Sequence, residues 1–151
     1  MTTKADFTAE DWKLVLEGPP SAGMLVITAQ RGGTLRETIT MAKSYAEARQ
    51  LHGQSELLDE IVAAKPVVDH TRYATLEELH ERSLGHLRDA VALLESKATP
   101  QELEDYKRFI VNLAEKVAAA HREGGRDATL VSDAERAAID SISAALGGPS
   151  A

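Results

Sequence analysis

Five times along this chain a hydroxyl residue is followed three positions later by a carboxylate, at Thr8–Asp11, Thr34–Glu37, Thr75–Glu78, Thr99–Glu102 and Ser132–Glu135. Each time, a stretch with helical spacing opens at that point. Such a pair closes a capping box. The hydroxyl accepts from the backbone N–H three residues on, the carboxylate reaches back to the hydroxyl residue's own N–H, and donors that a helix start leaves unpaired are satisfied. Asp11 is the weaker version, because its side chain is short. Phe7 and Trp12 stand at the positions of a hydrophobic staple around Thr8, which fixes how the chain enters the helix. A chain punctuated in this way is expected to fold as helices throughout.

The apolar spacing between these signals predicts seven segments. A first helix covers about residues 8–17 and ends at Gly18, Pro19 and Pro20. A second, about 20–30, starts on Pro20, where a missing N–H costs nothing. Its Met24, Leu25, Val26 and Ile27 are apolar on every side, which places it at the centre; a buried strand is the rival reading of so short a run. The third helix, from Thr34 to Gly53, carries Leu35, Ile39, Ala42 and Ala46 as its core stripe, with Thr38, Met41 and Tyr45 beside it. The fourth, about 55–65, offers Leu57, Leu58, Ile61 and Val62 and is stopped by Pro66.

Two long helices follow. The fifth, about 75–97, turns Leu76, Leu79, Leu87, Val91 and Leu94 inward, and its Gly85 marks a kink or a close crossing. The sixth, about 99–123, repeats Leu103, Tyr106, Ile110, Leu113 and Val117 at steps of three and four. So short a connection predicts an antiparallel hairpin, each arm about 33 Å long. A last helix, about 132–146, is lined by Ala138, Ile139, Ile142 and Leu146 and stopped by Gly147, Gly148 and Pro149. On this reading all five prolines avoid helix interiors. The expected fold is all-α: one compact bundle of about seven helices, residues 1–151 forming a single domain with an ordered core at about 7–146.

Composition narrows the function classes. Aromatics are only 4% of residues, so the core rests on Leu, Ile, Val and Ala. The formal charge of −7, with Lys and Arg scattered among Asp and Glu, lacks the basic stripe that nucleic acid or an anionic membrane attracts; neither is expected as a partner. Without cysteine there is no disulfide, thiolate metal site or cysteine nucleophile. Residues 1–10 are polar, and the most apolar stretch, 22–29, is far short of the roughly 20 residues that span a bilayer, so the chain is expected in the cytoplasm.

Chemistry-bearing motifs are sparse. Glu77 and His80 have the Glu-x-x-His spacing of carboxylate-bridged metal bundles, but once rather than twice, and acids in a first turn suit the helix dipole anyway. His121 continues the apolar stripe of the sixth helix and reads as a packed histidine. Asp69, His70 and Arg72, in the long connection after Pro66, form the better polar site. Neither Gly32–Gly33 nor Gly124–Gly125 has the spacing and lysine of a phosphate loop, and no serine is tied by sequence to a histidine. Both glycine pairs separate an apolar helix from a capped amphipathic one, which fits an internal duplication or simply the way helices end and begin.

Val117-Ala118-Ala119-Ala120, Gly124-Gly125, Val131-Ser132-Asp133-Ala134-Glu135-Arg136 and Ala144-Ala145-Leu146-Gly147 together resemble the second repeat of tellurite-resistance protein B-like domains. The resemblance implies a small bacterial all-helical fold in which an acidic loop binds metal. Asp127, Asp133 and Glu135 are the residues that transfer as metal groups, and a divalent metal is the cofactor so implied. The family's Asp-Gly turn stands here as Gly124-Gly125-Arg126-Asp127, and the earlier loop Gln30-Arg31-Gly32-Gly33 carries no acid. Phe7-Thr8-Ala9-Glu10-Asp11-Trp12 with the same tail also resembles uncharacterised bacterial helical proteins. Three functions are therefore weighed for the chain: first a non-enzymatic helical module that binds a partner protein or itself, without catalytic residues or cofactor; second a metal-binding or stress-response protein of the tellurite-resistance kind; third an enzyme whose site assembles from distant residues around Asp69, His70 and Arg72.

Overall fold

The structure, a computed structural model, describes residues 4–27, 34–50, 56–64, 74–124 and 133–147. Among the described residues a 3₁₀ turn at Lys4–Asp6 is followed by six α-helices: α1 (Ala9–Ile27), α2 (Thr34–Gln50), α3 (Glu56–Ala63), α4 (Leu76–Lys97), α5 (Pro100–Gly124) and α6 (Asp133–Ala145). The described residues contain no strand, so the all-α expectation holds and the strand reading of 24–27 does not.

The count is six rather than about seven because the first two expected helices are one. Pro19 and Pro20 lie inside α1 and do not break it. A proline within a helix removes the N–H that would bond the carbonyl four residues back. For Pro19 that carbonyl belongs to Val15, and the Tyr106 hydroxyl of α5 donates to it at 2.7 Å. Gly18 makes the approach feasible, since a Cβ there would collide with the same hydroxyl and stand 3.1 Å from Tyr106 Cζ. The lost helical bond is thus replaced by one from another helix. Tyr106 is fully buried, and burial above all pushes its phenol well above the ordinary range, so it stays a donor.

Three capping boxes fall on described side chains. Thr8 Oγ1 accepts from Asp11 N at 3.1 Å, and the staple is made, with Phe7 and Trp12 ring centroids 5.6 Å apart. Thr75 Oγ1 accepts from Glu78 N, while Glu78 reaches back to the N–H of Ala74. At Thr99 the box is reciprocal: Glu102 N donates to Thr99 Oγ1 at 3.1 Å and Thr99 N to Glu102 Oε1 at 2.9 Å. The Thr34 and Ser132 boxes lie outside the described side chains.

The apolar run of the expected second helix does lie at the centre. Every residue from Gly18 to Val26 is buried, and α1 lies against α4 and α5 most extensively and touches α2 and α6 as well. This changes the expected hairpin. Ala98 and Thr99 join α4 to α5 as tightly as predicted, but the two share little surface, because α1 covers the faces they would have turned to each other. Where α1 crosses α2, a Cβ on Gly23 would stand 2.6 Å from Met41 Sδ. Gly85, by contrast, has open space around it and makes no close crossing.

On α2 the expected stripe is rotated. Met41, Ser44 and Tyr45 are buried, whereas Ala42 and Ala46 face out and Ile39 is 47% exposed. Met41 and Tyr45 carry far more apolar surface than the alanines, and each large side chain taken out of water is worth about 1.5–3 kcal/mol. Leu35 and Thr38 lie outside the described side chains. The stripes read on α3, α4, α5 and α6 are buried or half-buried wherever their side chains are described. At the end of α3, Arg49 Nε donates to the Val62 carbonyl at 2.6 Å, meeting an acceptor that the helix end leaves free.

Candidate functional site

Alongside the buried stripe of α5 runs a second row at the same spacing, Asp105, Phe109, Asn112 and Lys116. It does not enter the core. Together with Ser44, Glu47 and Ala48 of α2 and Leu58 and Asp59 of α3, it walls a cleft of about 160 Å³. Three helices meet there.

The floor is apolar. Ala48, Leu58 and Phe109 are half-buried and Leu113 is fully buried. Phe109 is held edge-on against Tyr45, ring centroids 5.4 Å apart at 70°. Burial drives the Tyr45 phenol above its ordinary range, a rise that the nearby Arg49 opposes. The rim is charged and paired. Lys116 Nζ lies 2.9 Å from Glu47 Oε2 across the mouth. Arg108 reaches Asp105 Oδ1 at 3.6 Å, and the same oxygen accepts from Gln101 Nε2 at 3.0 Å. On the other side of Arg108 and Asn112 a more open groove of about 330 Å³ runs between α5 and α6, lined by Val111 and Leu146 among others.

One further polar contact crosses α1 and α4. His86 Nδ1 is 3.4 Å from Ser21 Oγ, and His86 Nε2 is 3.7 Å from Glu17 Oε2. Glu17 and Ser21 share a helix face at four-residue spacing. Serine, imidazole and carboxylate are the ingredients of nucleophilic catalysis, but acyl transfer also needs N–H groups aimed at the developing oxyanion. The residues leading into Ser21, Pro19 and Pro20, supply no such N–H, and the contact joins α1 to α4.

The site residues expected from sequence are placed as follows. Asp69, His70, Arg72 and Asp127 lie outside the described residues; Asp133 and Glu135 fall in the first turn of α6 and His121 in α5, but their side chains are likewise outside. Glu77 and His80 are exposed on α4, and no group of three metal-ligating side chains occurs among the described residues. Neither Glu77 nor His80 lines the cleft. The sequence does carry a trace of it, because the row from Asp105 to Lys116 repeats in step with the core stripe and mixes charge with an aromatic. Its closure by α2 and α3 is a tertiary fact. The His86 contact spans 65 residues and leaves no local signal. Among the described residues no helix is long and apolar enough to cross a membrane. Compared with models of protein families, with curated proteins and with solved structures, the chain matches none.

Proposed function

We propose that the protein is a non-enzymatic helical interaction module, and that the cleft between α2, α3 and α5 is where it holds a partner protein. The observation that carries this reading is the fit between the size of the cleft and its two-part lining. An apolar cavity of about 150 Å³ takes one benzene ring, so a cleft of about 160 Å³ is the size of one large side chain. Protein interfaces concentrate their energy in such anchors, seated on an apolar floor and ringed by polar groups that exclude water. Here Leu58, Phe109 and Leu113 form the floor, and the Glu47–Lys116 and Asp105–Arg108 pairs form the ring.

A filled cleft is the test. Ala48→Leu adds three carbons at the floor, facing space that the native chain leaves open. Chemical cross-linking in cells of origin, followed by identification of the captured proteins, is run on the native chain and on this variant, with circular dichroism to show that both are equally helical. A partner captured by the native chain and lost from the variant supports the reading. Equal capture by both, or capture of a second copy alone through a different face, sinks it.

A further inference from the structure

Resting on the interaction reading above, we propose that the side chain taken by this cleft is an arginine, presented by a basic segment of the partner. Three carboxylates, Glu47, Asp59 and Asp105, stand around the apolar floor, each from a different helix. A group that satisfies floor and rim together needs an apolar stem and a cationic head, the build of a long basic side chain. Arginine fits better than lysine. Its planar fork of five donors can engage more than one carboxylate, and it stacks on aromatic rings such as Phe109.

The cations already at the rim are placed to give way. Asp105 is the sheltered partner of its pair, 12% exposed, whereas Arg108 is 65% exposed and sits at 3.6 Å. Such a pair gains little from its own attraction, because the exposed member is well solvated. An incoming guanidinium seated on the floor would meet the same carboxylate away from water, where a charge-assisted bond is stronger. Arg108 is then free to turn to solvent. Lys116 and Glu47 are both largely exposed, at 49% and 61%, so their pair across the mouth is likewise weakened by solvent. At long range the net charge of −7 draws a basic segment in and repels an acidic one.

The experiment uses the full chain and three capped nonapeptides identical except at the central position, which is Arg, Leu or Glu. Each is titrated while backbone amide resonances are followed. The Arg peptide is expected to bind most tightly, with shifts centred on residues 44–48, 58–59 and 105–116, and to weaken as salt is raised. Asp105→Asn should weaken the Arg peptide about tenfold and leave the Leu peptide unchanged. A Leu peptide that binds the cleft as tightly as the Arg peptide, or an Asp105→Asn variant that binds Arg unimpaired, overturns the arginine assignment and leaves the interaction reading standing. If no peptide moves the cleft resonances, both fall. Glu47→Gln, which alters an exposed side chain and leaves the packing untouched, repeats the test should Asp105→Asn lose its fold.

Discussion

Tyr106 does two jobs with one side chain: its ring fills the core, and its hydroxyl supplies the donor that Pro19 takes away from Val15. Tyr106→Phe keeps the ring and strands a buried carbonyl, so a loss of about 1–3 kcal/mol is expected in urea unfolding. The same residue sets a high-pH limit. Both Tyr45 and Tyr106 hold their protons in the folded chain beyond the ordinary value of 10.0. Above about pH 10 the unfolded chain therefore releases phenolic protons that the folded chain keeps, and stability falls as pH rises, by up to about 1.4 kcal/mol per pH unit for each tyrosine. Tyr106→Phe should halve that slope, a result that unfolding curves at a series of alkaline pH values would settle. The glycines separate just as cleanly. Gly18→Ala puts a methyl group into the Tyr106 hydroxyl and should cost about 1–3 kcal/mol. Gly85→Ala meets nothing within 4 Å and removes a glycine from a helix interior, so it should stabilise by roughly 0.5–1 kcal/mol. A thermal melt in which Gly85→Ala lowers the midpoint would show that this position needs its glycine for something other than packing.

Helix starts and helix middles were not equally legible. The starts were written locally: Thr8, Thr75 and Thr99 hold their N–H groups as the spacing foretold, and Thr99→Ala should cost about 1 kcal/mol, more than the same change at the half-boxed Thr8. The middle of α1 could not be read in this way. Gly18-Pro19-Pro20 is a stop signal by every local rule, and what cancels it is a bond from α5 to Val15 that spans 91 residues of the chain. A double-mutant cycle isolates the repair. Pro19→Ala restores the helical N–H, so Tyr106→Phe should cost less in that background than in the native chain; equal costs would mean that the hydroxyl does not serve the gap left by proline. The stripe of α2 was misread for a related reason. Spacing alone allows either face of 39–48 to turn inward, and side-chain volume, judged against neighbours unknown in advance, decides for Met41 and Tyr45.

At the scale of the whole molecule, the fold class was legible because helical periodicity and caps are short-range, and the core list followed from them for α3 to α6. The arrangement was not. A linker of two residues between α4 and α5 pointed to a hairpin, yet α1 takes the surface that the hairpin would have used. The cleft shares this origin, since nothing in α2, α3 or α5 alone announces that the three leave a gap where they meet. One consequence of the threaded tyrosine concerns time rather than space. A ribosome completes α1 long before it reaches Tyr106, so the newborn amino-terminal segment is interrupted at its prolines until α5 emerges and docks. A synthetic peptide covering 9–27 should accordingly show far less helix in water than the same residues do in the finished protein.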